Sequence, residues 1–94
     1  MQFQQTPGRL YALDADGTLI AEITFPTAPD GVAEITHTFV HPRLRGQGIA
    51  AQLMEAAVAV LRKQGLSVRP VCSYAVQWFA QHPEEARSLL NVHR

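Results

Sequence analysis

The chain has 94 residues, enough for one small domain and not two. Eight Lys and Arg balance eight Asp and Glu, which argues against a bulk electrostatic binder of nucleic acid or anionic membrane. Apolar residues make up 47% and charged residues 17%, a mixture too apolar for a disordered tail and ordinary for a packed core.

Taken in chain order, Arg9-Leu-Tyr-Ala-Leu13 is a short strand-like run. Asp14-Ala15-Asp16-Gly17 follows as a hairpin turn, because Asp-Gly tolerates the positive φ such turns need. Residues 18–25 alternate and are enriched in β-branched side chains, the pattern of the returning strand. Pro26, Pro29 and Asp30-Gly31 make a second turn. From Val32 to Val40 a single third strand is expected, with Ala33, Ile35, His37 and Phe39 on one face and Glu34, Thr36 and Thr38 on the other.

The rhythm then changes. Between Gly48 and Lys63 the apolar residues Ile49, Leu53, Met54, Ala57, Val58 and Leu61 form a helical stripe. Four further alanines raise helix propensity, Arg62-Lys63 suit the C-terminal end of the dipole, and Gly65 is a natural stop. Residues 66–71 read as a fourth strand, which Pro70 places at an edge or an end. A short helix is expected from Tyr74 to Gln81, and a last one from Pro83 to near Asn91. The predicted architecture is α/β: a mixed, mainly antiparallel sheet in the order β-β-β-α-β-α, packed with two to three helices in a single domain spanning residues 1–94. The helical crossover can return its strand parallel to the third.

The most informative stretch runs from His41 to Ala50, between a strand and a helix. Gly46 and Gly48 permit a sharp turn and close backbone approach to a ligand. The helix that begins there points unpaired N–H groups outward, a ready phosphate site, and Arg43 and Arg45 add charge beside it. A plain connector with two turn glycines and solvated arginines is the alternative. Charge distribution favours a local anion. Asp14, Asp16, Glu22, Asp30 and Glu34 face Arg9 alone in the first 42 residues, for a net charge of −4, and the remainder carries the compensating +4. No Gly-Lys-Ser/Thr follows, so this is not a nucleoside triphosphate loop, and the third glycine of a dinucleotide fingerprint is missing.

Arg45-Gly46-Gln47-Gly48-Ile49-Ala50 resembles the Arg/Gln-x-x-Gly-x-Gly/Ala signature of the GNAT superfamily of acyl-CoA N-acetyltransferases. The flanking Thr36-His-Thr-Phe-Val40, Pro70-Val-Cys-Ser-Tyr74 and Phe79-x-x-His82-Pro83-Glu84 are similar to the small single-domain branch of that superfamily. The resemblance implies that Arg45, Gly46, Gln47, Gly48, Ile49 and Ala50 cradle the pyrophosphate of acetyl-CoA or coenzyme A. Backbone at Phe39 and Val40 would pair with the pantetheine arm, with Ser73 and Tyr74 also at the cofactor. It also implies transfer of an acetyl group to an amine acceptor, or, in the alternative, a non-catalytic coenzyme A-binding sensor or adaptor. Larger relatives insert helices after the first strand, so a reduced acceptor site is implied here.

Cys72 ends a strand just before a helix, a position that enhances nucleophilicity. His37 lies on the neighbouring strand and can activate that thiol or act as base toward the amine. A small packed cysteine and a hydrogen-bonded histidine are the plain alternatives. His37-x-x-x-His41 has the spacing of a helical metal pair but falls on a strand, so no metal is expected. Trp78 and Phe79 read as core, and Glu84-Glu85 as favourable first-turn charge. The single cysteine excludes an internal disulfide and fits a reducing, cytoplasmic setting. No leader and no run of roughly 18–20 apolar residues is seen. A monomer or weak homodimer with no membrane or nucleic-acid partner is expected.

Overall fold

In the computed structural model, which describes residues 1–90, six strands and three helices follow one another along the chain. They are β1 (Gln4–Thr6), β2 (Arg9–Leu13), β3 (Leu19–Thr24), β4 (Ala33–Ile35), β5 (His37–Val40), α1 (Ile49–Gln64), β6 (Val68–Pro70), α2 (Ser73–Gln81) and α3 (Pro83–Leu89). A single 3-10 turn, Pro42–Leu44, joins β5 to the glycine loop. Asn91, the expected end of the last helix, lies outside the described residues; α3 is capped by Leu90.

β1, β2, β3 and β5 form an antiparallel sheet in that order, while β4 and β6 pair in parallel. The mixed, mainly antiparallel α/β fold is therefore as expected, with two corrections. Gln4–Thr6 adds an edge strand, absent from the expected order, through a hairpin at Pro7-Gly8. The run from Val32 to Val40 is not one strand but two, with Thr36 between them.

The division is made by hydrogen bonds. The Thr36 amide donates to the Thr24 carbonyl at 3.0 Å and the two hydroxyls lie 2.8 Å apart, which ties this residue to β3. One residue earlier, the Ile35 carbonyl accepts from the amides of Val71 and Cys72 at 2.9 and 3.0 Å, which ties it to the end of β6. The chain thus changes sheet within two residues, and β5 diverges from β6. The side-chain alternation breaks with it: Ala33 and Ile35 are buried, whereas His37 is exposed.

α1 covers the sheet with the stripe that its periodicity predicts: Ile49, Leu53, Met54, Ala57, Val58 and Leu61 are all buried. Gly65, at φ +72°, closes the helix, and the Leu66 amide returns to the Leu61 carbonyl at 3.1 Å. Trp78 and Phe79 of α2 are buried and meet edge to face at 5.0 Å between ring centroids. Each large side chain removed from water in this way contributes about 1.5–3 kcal/mol.

The loop before β4 is held to β6 by Arg69, which donates to Asp30 at 2.6 Å and to Glu34 at 2.7 Å. The Arg69 guanidinium, with the Val32 amide second, holds the Asp30 carboxyl below its ordinary value. In the β2–β3 turn, the Asp14 carboxyl and then the Thr18 hydroxyl and amide hold Asp16 down at about 2.

Two outcomes follow from this packing. Leu53→Ala should lower the unfolding free energy by about 2–5 kcal/mol in chemical denaturation, because the site is fully enclosed. Asp16 and Asp30 lie below the ordinary 3.8 when folded, so the stability they contribute is present above that value and lost as pH falls through it toward 2. The thermal midpoint should drop over that window, and Asp16→Asn and Asp30→Asn should each reduce the drop.

Candidate functional site

The 3-10 turn after β5 is built by local bonds: the His41 Nδ1 accepts from the Arg43 amide at 3.2 Å and the His41 carbonyl from the Leu44 amide at 2.9 Å. It delivers the chain to Gly46 and Gly48, at φ +83° and +77°, the left-handed conformation that L side chains resist. A Cβ at either glycine would meet nothing within 4 Å, so their backbone, not crowding, requires glycine. Gly48 caps α1 without a side-chain hydrogen bond. The amides of Ile49, Ala50 and Ala51 therefore begin the helix with no side-chain acceptor at its cap.

Those amides open onto a groove. A depression of about 210 Å³ is lined by Val40, Leu44, Arg45, Gly46, Gly48, Ile49, Ala50, Ala51 and Tyr74. A second, of about 270 Å³, is lined by Thr38, Phe39, Val40, Arg45, Ala50 and Tyr74. They share Val40, Arg45, Ala50 and Tyr74, so the groove runs from the start of α1 along β5 toward the divergence from β6. Arg45 Nε donates to the Val40 carbonyl at 3.4 Å.

Folding consumes most of the charge separation seen along the chain. Arg43 pairs with Asp14 at 2.6 Å, Arg69 with Asp30 and Glu34, Arg62 with Glu85, and Arg87 with Glu84. Among the described residues only Arg45 and Lys63 of the later bases lack an acidic partner. The two arginines flanking the loop thus differ, with Arg45 in the groove and Arg43 held to the β2–β3 hairpin.

Of the sequence-predicted residues, the groove gathers Phe39, Val40, Arg45, Gly46, Gly48, Ile49, Ala50 and Tyr74. Gln47 and Ser73 are exposed and line neither depression. Burial, with the Glu55 carboxylate second, pushes the Tyr74 phenol above its ordinary value. Cys72 caps α2, half-buried, with its Sγ 3.6 Å from the Thr38 hydroxyl. His37 does not share that space. It precedes Thr38, its side chain is 54% exposed, and its Nε2 lies 3.6 Å from Glu22 Oε1 on the opposite face of β5. Cys72 and His37 are therefore not brought together, because the break at Thr36 shifts the alternation on which their pairing relied. Thr38 and Glu22, the residues these two groups meet, carry no local sequence signal. Among the described residues no three His, Cys, Asp or Glu side chains cluster around a possible metal, and no helix is long and apolar enough to cross a membrane.

A diverging mixed sheet with a glycine loop feeding an uncapped helix is the fold of the GNAT acyltransferases, which use acetyl-CoA as cosubstrate. The sequence profile of the GCN5-related N-acetyl-transferase family matches residues 10–89, and the chain belongs to that family. A GCN5-like protein from Staphylococcus aureus superposes with a TM-score of 0.77 at 26% identity, over 99% of this chain and 91% of the other. The ribosomal-protein-alanine N-acetyltransferase of Brucella melitensis biovar Abortus gives 0.59 at 23% identity, over 79% of this chain and 60% of its own. Tetrahymena GCN5 gives 0.62 at 16% identity, over 90% and 61%. The last two share the fold, and this chain spans about three fifths of their length. No curated protein sequence shows significant similarity to the chain.

Gly48→Ala tests the backbone requirement of the loop. It should cost about 1–2 kcal/mol of stability in denaturant unfolding, from φ alone, since its added methyl meets no neighbour.

Proposed function

We propose that the chain is an acetyl-CoA-dependent N-acetyltransferase that passes an acetyl group to an amine. One observation carries this reading: the uncapped start of α1, bordered by Gly46, Gly48 and the unpaired Arg45, opens into a groove that continues along β5. A pyrophosphate suits the first part, where backbone amides and one guanidinium converge and no Cβ intrudes. An extended amide-bearing arm suits the second, where β5 has a partner on one side only. Arg45, Gly46, Gln47, Gly48, Ile49 and Ala50 would hold the pyrophosphate, while Phe39 and Val40 meet the pantetheine arm and Ser73 and Tyr74 flank the thioester.

Transfer joins the amine nitrogen to the thioester carbonyl carbon and breaks the carbon–sulfur bond, with one proton leaving the nitrogen and one reaching the departing sulfur. Tyr74 is placed for the second proton, because its protonated phenol lines the groove. His37 is suited to the first, from the exposed face of β5. Cys72, beside Thr38, offers the other route, in which the thiol takes the acetyl group before the amine does.

A second reading, a coenzyme A-binding module without transfer, is favoured by the separation of Cys72 from His37 and by the bare two-residue link between β1 and β2, which builds no acceptor wall. A panel of amines and peptides that accept no acetyl group despite cofactor binding would select it.

Calorimetric titration should show acetyl-CoA binding, weakened by about 10-fold or more in Arg45→Glu, which reverses the charge in the groove. No binding at millimolar acetyl-CoA overturns the proposal. Near-normal turnover in Cys72→Ala would eliminate the covalent route, whereas loss of turnover with acetyl mass on wild-type Cys72 would establish it.

A further inference from the structure

Arg43 sits beside the glycine loop yet lines neither part of the groove. Its Nη2 donates to Asp14 Oδ2 at 2.6 Å, across 29 residues of sequence. Asp14 is itself well fixed. Its other oxygen, Oδ1, accepts from the amides of Asp16 and Thr18 at 3.1 Å each, and its own amide donates to the Thr18 carbonyl at 2.9 Å. On the other side, the Arg43 amide is bound to His41 Nδ1, and the His41 amide donates to the Ile20 carbonyl at 2.9 Å. The turn that launches the loop is thus joined to the β2–β3 hairpin at two points, one backbone and one ionic. Beyond Arg45 the loop has two glycines in left-handed conformation and a cap without a side-chain bond, so little within it restrains its aim.

We infer that Asp14 is a positioning residue for the cofactor loop, acting through Arg43 to hold the stretch from Arg45 to Ala50 where its amides face the groove. The inference rests on the reading of that groove as the acetyl-CoA site. It assigns opposite uses to the two loop arginines: Arg45 supplies charge to the ligand, and Arg43 spends its charge on the hairpin. It also gives the Asp-rich turn a task beyond reversing the chain.

Asp14→Asn retains a side-chain oxygen for the turn amides while removing the charge that Arg43 pairs with, and Arg43→Gln removes the other partner. Amide hydrogen exchange over residues 46–50 in the unliganded protein reports the loop directly, calorimetry reports acetyl-CoA affinity, and the thermal midpoint reports the fold. Each single variant should speed loop exchange and weaken acetyl-CoA by about 2- to 5-fold, the range of a partly exposed ion pair. The double variant should be no weaker than either single one, because both remove the same interaction, and Arg43→Lys should recover most of the loss. Unchanged loop exchange in a folded Asp14→Asn protein would overturn the inference. So would tighter binding in Asp14→Asn together with weaker binding in Arg43→Gln, the signature of Arg43 touching the ligand itself, and so would additive losses. Failure of the wild-type protein to bind acetyl-CoA would instead remove the reading of the groove, and loop exchange alone would then decide the role of Asp14.

Discussion

The structure depends on a carbonyl that serves two amides. The Ile35 oxygen accepts from both Val71 and Cys72, and one residue later Thr36 is already bonded to β3. A backbone cannot satisfy both sheets at once, so past this point β5 follows β3 and β6 goes its own way. The groove is the space left by that parting. It also sets which side chains meet, since the break offsets the alternation by one and turns Thr38, not His37, toward Cys72.

Electrostatics then divides into two tasks. Arg69, Arg43, Arg62 and Arg87 are consumed in pairs that join distant segments, and exposed pairs of this kind contribute little individually. Their value lies in where they sit: Arg69 binds the β3–β4 loop to β6, and Arg43 binds the turn before the glycine loop to the hairpin. Beside the groove, the backbone at the start of α1 has no side-chain cap and Arg45 has no acidic partner among the described residues. A site built of amides and one guanidinium suits a compact anion and gives a long polyanion little to follow, consistent with the overall neutrality of the chain.

The chemistry-bearing groups consequently occupy two faces. Tyr74, Thr38 and Cys72 lie along the groove or at its end, while His37 and Glu22 stand on the open face of the sheet beside Arg9. Only Pro7 and Gly8 lie between β1 and β2. The family's fold is retained here, and what this chain shares with two of its larger structural neighbours covers about three fifths of each of them.

Much of this was legible in the residues. The six buried positions of α1 match its apolar spacing, the Asp14–Gly17 hairpin forms as its turn chemistry requires, and the loop glycines adopt the left-handed φ for which glycine is suited. These are local properties, set by periodicity and by the steric demands of single residues. Hydrogen-bond partners and ion pairs between segments far apart in sequence have no such signature. The sequence by itself therefore determined the fold class, the helix, and the glycine loop that opens it. Only the tertiary structure decided that the third strand breaks at Thr36, that Cys72 faces Thr38 while His37 faces Glu22, and that Arg43 belongs to Asp14, because each of these is a choice among partners that come within reach only once the chain has folded.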